Sequence, residues 1–206
     1  MSSSSAVERT QAQAQAQAQV QALGTGVLLL REFIPKAKAA EIVRYALQCD
    51  GWVQSASGTY EANELVEQDF SAKQGVFTIR QLALNTWSHQ PSWDLLRDLI
   101  HHTWNIQISR FSDFGLSRYD VNASIDEHQD TGPYNTPRVV TFVLYLNDQF
   151  SGGEIVFPRL GIRHKPGCGD LLVFLSEHIH RVDRLIEGQR FCLIWFGEVA
   201  PEMFQL

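Results

Sequence analysis

The chain has 206 residues, 44% of them hydrophobic and 11% aromatic, enough for one well-buried core and too few for two large domains. Its formal net charge is −6, which argues against a protein that embraces nucleic-acid phosphates. No run approaches the ~20 apolar residues of a spanning helix, so neither nucleic acid nor membrane is expected as a partner.

Residues 1–22 open with Met-Ser-Ser-Ser-Ser and then alternate Gln and Ala from Gln11 to Gln19. Such a segment has almost nothing to bury and reads as a disordered tail. The start lacks a charged region followed by an apolar core, so no secretory leader is expected. Residues 23–206 read as a single domain, with a helix-and-strand support over 23–115 and a β-rich core over 116–199. Cys49, Cys168 and Cys192 are odd in number, far apart and without a CxxC pair. They read as reduced thiols of a cytoplasmic protein.

Within the support, Gly26–Glu32 predicts a short strand. Ala39, Ile42, Val43, Ala46 and Leu47 recur at helical spacing, and Asp50-Gly51 ends that helix. Residues 51–75 are polar and glycine-containing and predict a long loop with short strands. Val76–Ile79 is a candidate strand. Pro91 starts a second helix with Trp93, Leu96, Leu99, Ile100 and Trp104 on one face.

From Asn105 onward short β-rich runs alternate with turn signals: Ile106–Phe111, Leu116–Val121, Arg138–Leu146, Glu154–Phe157, Leu171–Phe174 and Arg190–Phe196. Many short strands at regular spacing predict a sandwich or barrel, with the two helices buttressing one sheet.

The stretch Asp126-Glu127-His128-Gln129-Asp130 carries the chemistry. On a strand, His128 and Asp130 point to one face, where an imidazole and a carboxylate can grip one metal ion. A third ligand could come from His178 or His180. Two histidines and one carboxylate form the facial triad of iron(II) oxygenases, which leaves open positions for a cosubstrate and O₂. Ten residues beyond His180, Arg190 opens an apolar strand. A buried arginine needs an anionic partner, and its planar fork suits a carboxylate. The far carboxylate of a small dicarboxylic acid chelating the metal would satisfy it.

At this point the sequence resembles the prolyl 4-hydroxylase-like branch of the iron(II)/2-oxoglutarate dioxygenases. The matching residues are Tyr119, His128-Gln-Asp130, Arg138-Val-Val-Thr141-Phe-Val-Leu-Tyr145-Leu-Asn147 and Ser151-Gly-Gly-Glu154. Pro166-Gly-Cys-Gly-Asp170, His180-Arg-Val182, Gly188-Gln-Arg190 and Trp195 follow in register. The resemblance implies a mainly β fold with flanking helices, a double-stranded β-helix (a cupin-like jelly roll). It implies His128, Asp130 and His180 as iron(II) ligands; the family's ten-residue spacing to Arg190 selects His180 over His178. Arg190 would bind the C5 carboxylate of 2-oxoglutarate. Tyr119 and Tyr145 would line that pocket, and Thr141, Ile155 and Phe196 would pack near the cosubstrate.

The implied activity is hydroxylation, or a related oxidation, of an unactivated C–H bond, with 2-oxoglutarate and O₂ converted to succinate and CO₂ and ascorbate as the expected reductant. The intact carboxylate at Asp130 favours hydroxylation over halogen transfer. The expected substrate is an amino acid, a small metabolite or a prolyl residue of a peptide or protein. Loops at the barrel mouth, residues 51–80 and 131–137, would select it, with Arg80, Trp87, Arg118 and Tyr134 as the residues able to meet it. Two rivals are an inactive jelly-roll binding module and a cupin-like metalloenzyme without 2-oxoglutarate. The first leaves the ligand set idle and the second leaves Arg190 unexplained.

Overall fold

The computed structural model of the chain describes residues 20–55, 57–61, 64–69, 73–80, 93–132 and 137–200. In chain order the elements are β1 (Val20–Gly24), β2 (Val27–Leu30), α1 (Lys36–Leu47), β3 (Val53–Gln54), β4 (Ser57–Glu61), β5 (Glu64–Asp69) and β6 (Val76–Arg80). Then come α2 (Trp93–Trp104), β7 (Arg110–Phe111), β8 (Gly115–Tyr119), β9 (Ile125–His128), β10 (Arg138–Tyr145), β11 (Phe150–Gly152) and β12 (Ile155–Phe157). β13 (Ile162–His164), β14 (Leu171–Leu175), β15 (His180–Val182), β16 (Leu185–Gly188) and β17 (Arg190–Glu198) complete it.

Side-chain alternation along β10 and β17 divides the interior in two. Phe142 and Leu144 of β10, with Phe191, Leu193 and Trp195 of β17, face the helices. There they meet Ala39, Ile42 and Ala46 of α1 and Leu96 and Ile100 of α2. Val143, Tyr145, Cys192 and Ile194 face the other way, into the barrel. Both faces of this sheet are therefore buried, which is why its central strands read as continuous apolar runs.

The main sheet has the order β1-β2-β14-β10-β17-β8-β6-β3, with β7 added beside β17. A second sheet, β13-β12-β15-β9, closes the barrel from the opposite side. The architecture is the mainly β, double-stranded β-helix with flanking helices that the sequence implies. β4 and β5 form a separate hairpin.

Several expectations need correction. Val20–Ala22, placed in the tail by composition, belong to β1, where Val20 pairs with Leu30 and Ala22 with Leu28. The open edge of the apolar strand β2 supplies those partners, and single-strand periodicity cannot reveal them. Residues 1–19 lie outside the described residues, as does Pro91; α2 is described from Trp93. Of Ile106–Phe111 only Arg110–Phe111 joins the sheet; before it, Ile108 is buried in the same cluster as Leu96 and Ile100 of α2. β11, β13, β15 and β16 are three- or four-residue strands, too short to carry a period.

Among the described residues no helix is long and apolar enough to cross a membrane.

Candidate active site

β9 and β15 are neighbours in antiparallel register, and His180 lies directly opposite His128. Directly paired residues on one face of a sheet are held within side-chain contact, and the two imidazole centroids are 4.3 Å apart. Asp130 lies just past the end of β9, where the strand has become a bend, so strand periodicity alone does not aim it. Its N–H donates to the Ser176 carbonyl at 3.0 Å, and this turns the carboxylate back toward the histidines. Its Oδ1 is 3.6 Å from His128 Nε2 and its Oδ2 is 3.6 Å from His180 Nε2. The three side chains present ligand atoms that all lie within 4.8 Å of one another.

Backbone carbonyls set the tautomers. His128 Nδ1 lies 2.8 Å from the Asp126 carbonyl, and His180 Nδ1 lies 3.0 Å from the His178 carbonyl. A carbonyl only accepts, so each Nδ1 carries a hydrogen, which leaves Nε2 as the atom that each ring can offer to a metal. Burial drives the His180 pKa down, against the pull of Asp130, which favours the neutral, ligating imidazole. Its ring packs against Phe174 and Phe157. For Asp130, burial pushes the carboxyl pKa up. His128, His180 and a hydrogen bond from Thr141 outweigh that and hold the group well below the usual carboxylate range. The charge on the site is thus prepared before any ligand arrives. His178 is elsewhere engaged, its Nε2 lying 3.0 Å from the Thr25 carbonyl.

Deeper in the barrel, Arg190 opens β17 directly opposite Tyr119 of β8. It is 1% exposed. Its guanidinium donates to the Gly153 carbonyl at 2.9 Å and to the Tyr145 hydroxyl at 3.2 Å. It also lies over the Tyr119 and Tyr145 rings, at 4.4 and 4.8 Å from their centroids. Its buried Nε has no partner, and among the described residues no carboxylate lies within ion-pairing distance of it. Burial pushes the Tyr145 pKa up to about 12 despite the arginine, and raises that of Tyr119 further. Both phenols therefore keep their protons. Tyr145 accepts from Arg190 and has its own proton to give.

Arg190 is placed by the Gly152-Gly153 turn. Gly152 has φ +71° and Gly153 φ +68°, left-handed values that cost a side-chain-bearing residue about 1 kcal/mol or more. A Cβ on Gly152 would also overlap the Arg184 backbone oxygen. Gly152→Ala is expected to destabilise the fold by about 2 kcal/mol or more, read as a lower denaturant midpoint with an unchanged slope. An unshifted midpoint would mean the turn relaxes freely.

The remaining predicted residues divide. Thr141 reaches the Asp130 carboxylate itself, donating to its Oδ2 at 2.8 Å. Ile155 is buried in the barrel core, and Phe196 is half-buried under the guanidinium of Arg138, 3.9 Å from ring centroid to Cζ. Arg118 is not brought to the site. It alternates with Tyr119 and so points to the opposite face of β8, where it stacks on Trp52 and Phe77 and pairs with Asp120. Arg80 ends β6 opposite Gly115; its side chain, and Trp87 and Tyr134 entirely, lie outside the described residues. Sequence reading missed Ser176 and the carbonyl of Gly153. The Ser-Gly-Gly turn flagged the second; nothing local flags the first.

Residues 114–197 match the family model of the 2OG-Fe(II) oxygenase superfamily. Over part of its length the chain is similar to proteins named as probable or putative prolyl 4-hydroxylases. It is 30% identical over 104 residues to a protein named Probable prolyl 4-hydroxylase 9 of Arabidopsis thaliana, a match covering 40% of this chain and 36% of that one. The chain spans about a third of the length of the curated relatives it matches first. Its fold is similar to that of a Pseudomonas putida prolyl-4-hydroxylase, with TM-score 0.62, 22% identity, and 85% and 93% of the two chains covered. It is also similar to a Trichoplax adhaerens prolyl hydroxylase in complex with a hypoxia inducible factor oxygen degradation domain peptide fragment. That match has TM-score 0.61 and 17% identity, covering 84% and 83% of the chains.

Proposed function

We propose that this chain is an iron(II)- and 2-oxoglutarate-dependent dioxygenase that hydroxylates an unactivated C–H bond and converts 2-oxoglutarate and O₂ to succinate and CO₂. The observation that carries this reading is a pair of sites on one barrel interior. Two imidazoles and a carboxylate converge, and the same interior holds a buried guanidinium with no carboxylate partner among the described residues. The donor set suits iron(II), and the orphaned cation suits a diacid.

In this reading His128, Asp130 and His180 hold the metal through the Nε2 atoms and the carboxylate. Arg190 receives the far carboxylate of 2-oxoglutarate, and Tyr145 and Tyr119 can add phenolic hydrogen bonds to it. Thr141, Ile155 and Phe196 line the space between. Bound iron, with 2-oxoglutarate and O₂, supplies the oxidising power; ascorbate is the reductant that keeps the metal ferrous. The protein orients these groups and excludes water, which the low exposure of His180 and Arg190 favours.

For the substrate, the names of the relatives favour a prolyl residue of a peptide over a free amino acid or other small metabolite. Residues 51–80 and 131–137 are assigned to substrate selection, with Arg80, Trp87 and Tyr134 as contacts. Residues 1–19 are read as a tail outside a single catalytic domain. Three free thiols support a cytoplasmic location.

The test adds iron(II) and 2-oxoglutarate to anaerobic protein and looks for a weak visible charge-transfer band, the sign of a keto acid chelating iron at the open positions of a facial triad. Succinate release is then compared for proline-containing peptides and free amino acids. A folded protein that gives neither band nor succinate would return the chain to the binding-module reading.

A further inference from the structure

Behind Asp130 lies a chain of two hydroxyls. Thr141 Oγ1 is 2.8 Å from Asp130 Oδ2 and 2.9 Å from Ser176 Oγ. Thr141 is 1% exposed and Ser176 0%, so solvent does not complete their hydrogen bonds. A hydroxyl has one proton to give, and an ionised carboxylate only accepts. Thr141 therefore directs its proton at Asp130, and the contact with Ser176 must be one it accepts. Ser176 is the donor at the head of the chain.

Ser176 also holds the other end of the same residue. Its carbonyl accepts from the Asp130 N–H at 3.0 Å, and its own N–H donates to the Val139 carbonyl at 3.0 Å. Val139 sits in the irregularity between Arg138 and Val140, where the register of β10 against β17 shifts. One buried serine thus ties the bend carrying Asp130 to β10, and through Thr141 it orders the carboxylate head group.

We propose that Ser176 is a positioning residue for the metal site: the ordered chain Ser176–Thr141–Asp130 holds one rotation of the carboxylate, and so prepares it to bind a divalent metal. The inference rests on the reading of His128, Asp130 and His180 as ligands. Rotation of a carboxylate about its last torsion is otherwise broad, and a rotation held before binding is not lost on binding. Partners behind a ligand typically contribute 10- to 100-fold in metal affinity.

The test titrates the full chain with Co(II) alone, without 2-oxoglutarate, and follows the visible Co(II) absorption. Thr141→Val, which keeps the shape and removes the donor, is expected to weaken Co(II) binding ~10- to 100-fold, and Ser176→Ala ~10-fold. Because both act through one hydrogen bond to Asp130, the double variant should bind no more weakly than Thr141→Val alone. Thr141→Ser, which restores the donor, should recover most of the affinity and the wild-type band shape. Thermal melts identify any variant that fails to fold; should Ser176→Ala be one, Ser176→Cys takes its place in the cycle. Additive losses, or wild-type affinity in Ser176→Ala, would overturn the chain while leaving the ligand set standing. Wild-type protein that ignores Co(II), or binds it equally after His180→Ala, would remove the ligand set and the proposal with it.

Discussion

Replacing His180 with alanine is expected to abolish metal retention and turnover together, whereas replacing His178 leaves both in place. The two histidines are separated by one residue and look alike in the sequence. In the structure His180 Nδ1 is committed to a carbonyl and its Nε2 faces Asp130 and His128. His178 spends its Nε2 on the Thr25 carbonyl. Losing the His180 ligand should cost more than the 10- to 100-fold typical of outer partners, so at least ~10²-fold in metal affinity. His178→Ala removes one hydrogen bond, worth about 1 kcal/mol, between β15's approach and the β1–β2 turn. Metal analysis of the two purified variants decides it. A metal-free His178→Ala beside a loaded His180→Ala would reverse the assignment.

Arg190→Met should raise the 2-oxoglutarate requirement on the order of 10²- to 10³-fold, while the ligand-free protein melts no lower than wild type. The two halves have one cause. The guanidinium is buried without an acid among the described residues, and an uncompensated buried charge opposes folding. A diacid that pairs with it gains two charge-assisted hydrogen bonds of roughly 1.5–3 kcal/mol each. Methionine of similar length removes both the cost and the gain. Binding of 2-oxoglutarate to the metal-loaded protein, followed by the charge-transfer band, measures the second half; thermal melts measure the first. An unchanged 2-oxoglutarate affinity would detach Arg190 from the cosubstrate. A large fall in the ligand-free melting temperature would show that Tyr145, Gly153 and the two rings satisfy the cation by themselves.

Much of the fold is legible in the chain because its signals are local. The apolar runs of Arg138–Tyr145 and Arg190–Glu198 announce strands buried on both faces, and α1 and α2 announce themselves by helical spacing. The short strands β11, β13, β15 and β16 do not. They owe their existence to a neighbour's hydrogen bonds, and three or four residues carry no period of their own. The same limit hid Val20–Ala22, which composition assigns to the tail and the edge of β2 draws into the sheet.

By itself the sequence determined the residue types of the site and their order: an imidazole and a carboxylate two apart, a second imidazole, and an arginine ten residues later. Those are statements about covalent spacing, and spacing is what a sequence contains. The resemblance selected His180 over His178 by its ten-residue spacing to Arg190; the tertiary structure adds a physical reason, because the distant Thr25 carbonyl occupies His178 Nε2. It also turned Arg118 away from the site, because alternation on β8 assigns Tyr119 to the barrel and its neighbour to the helix side. And it placed Ser176 behind Asp130, 46 residues away along the chain, where a buried hydroxyl gains meaning only from the partners that folding brings within 3.0 Å.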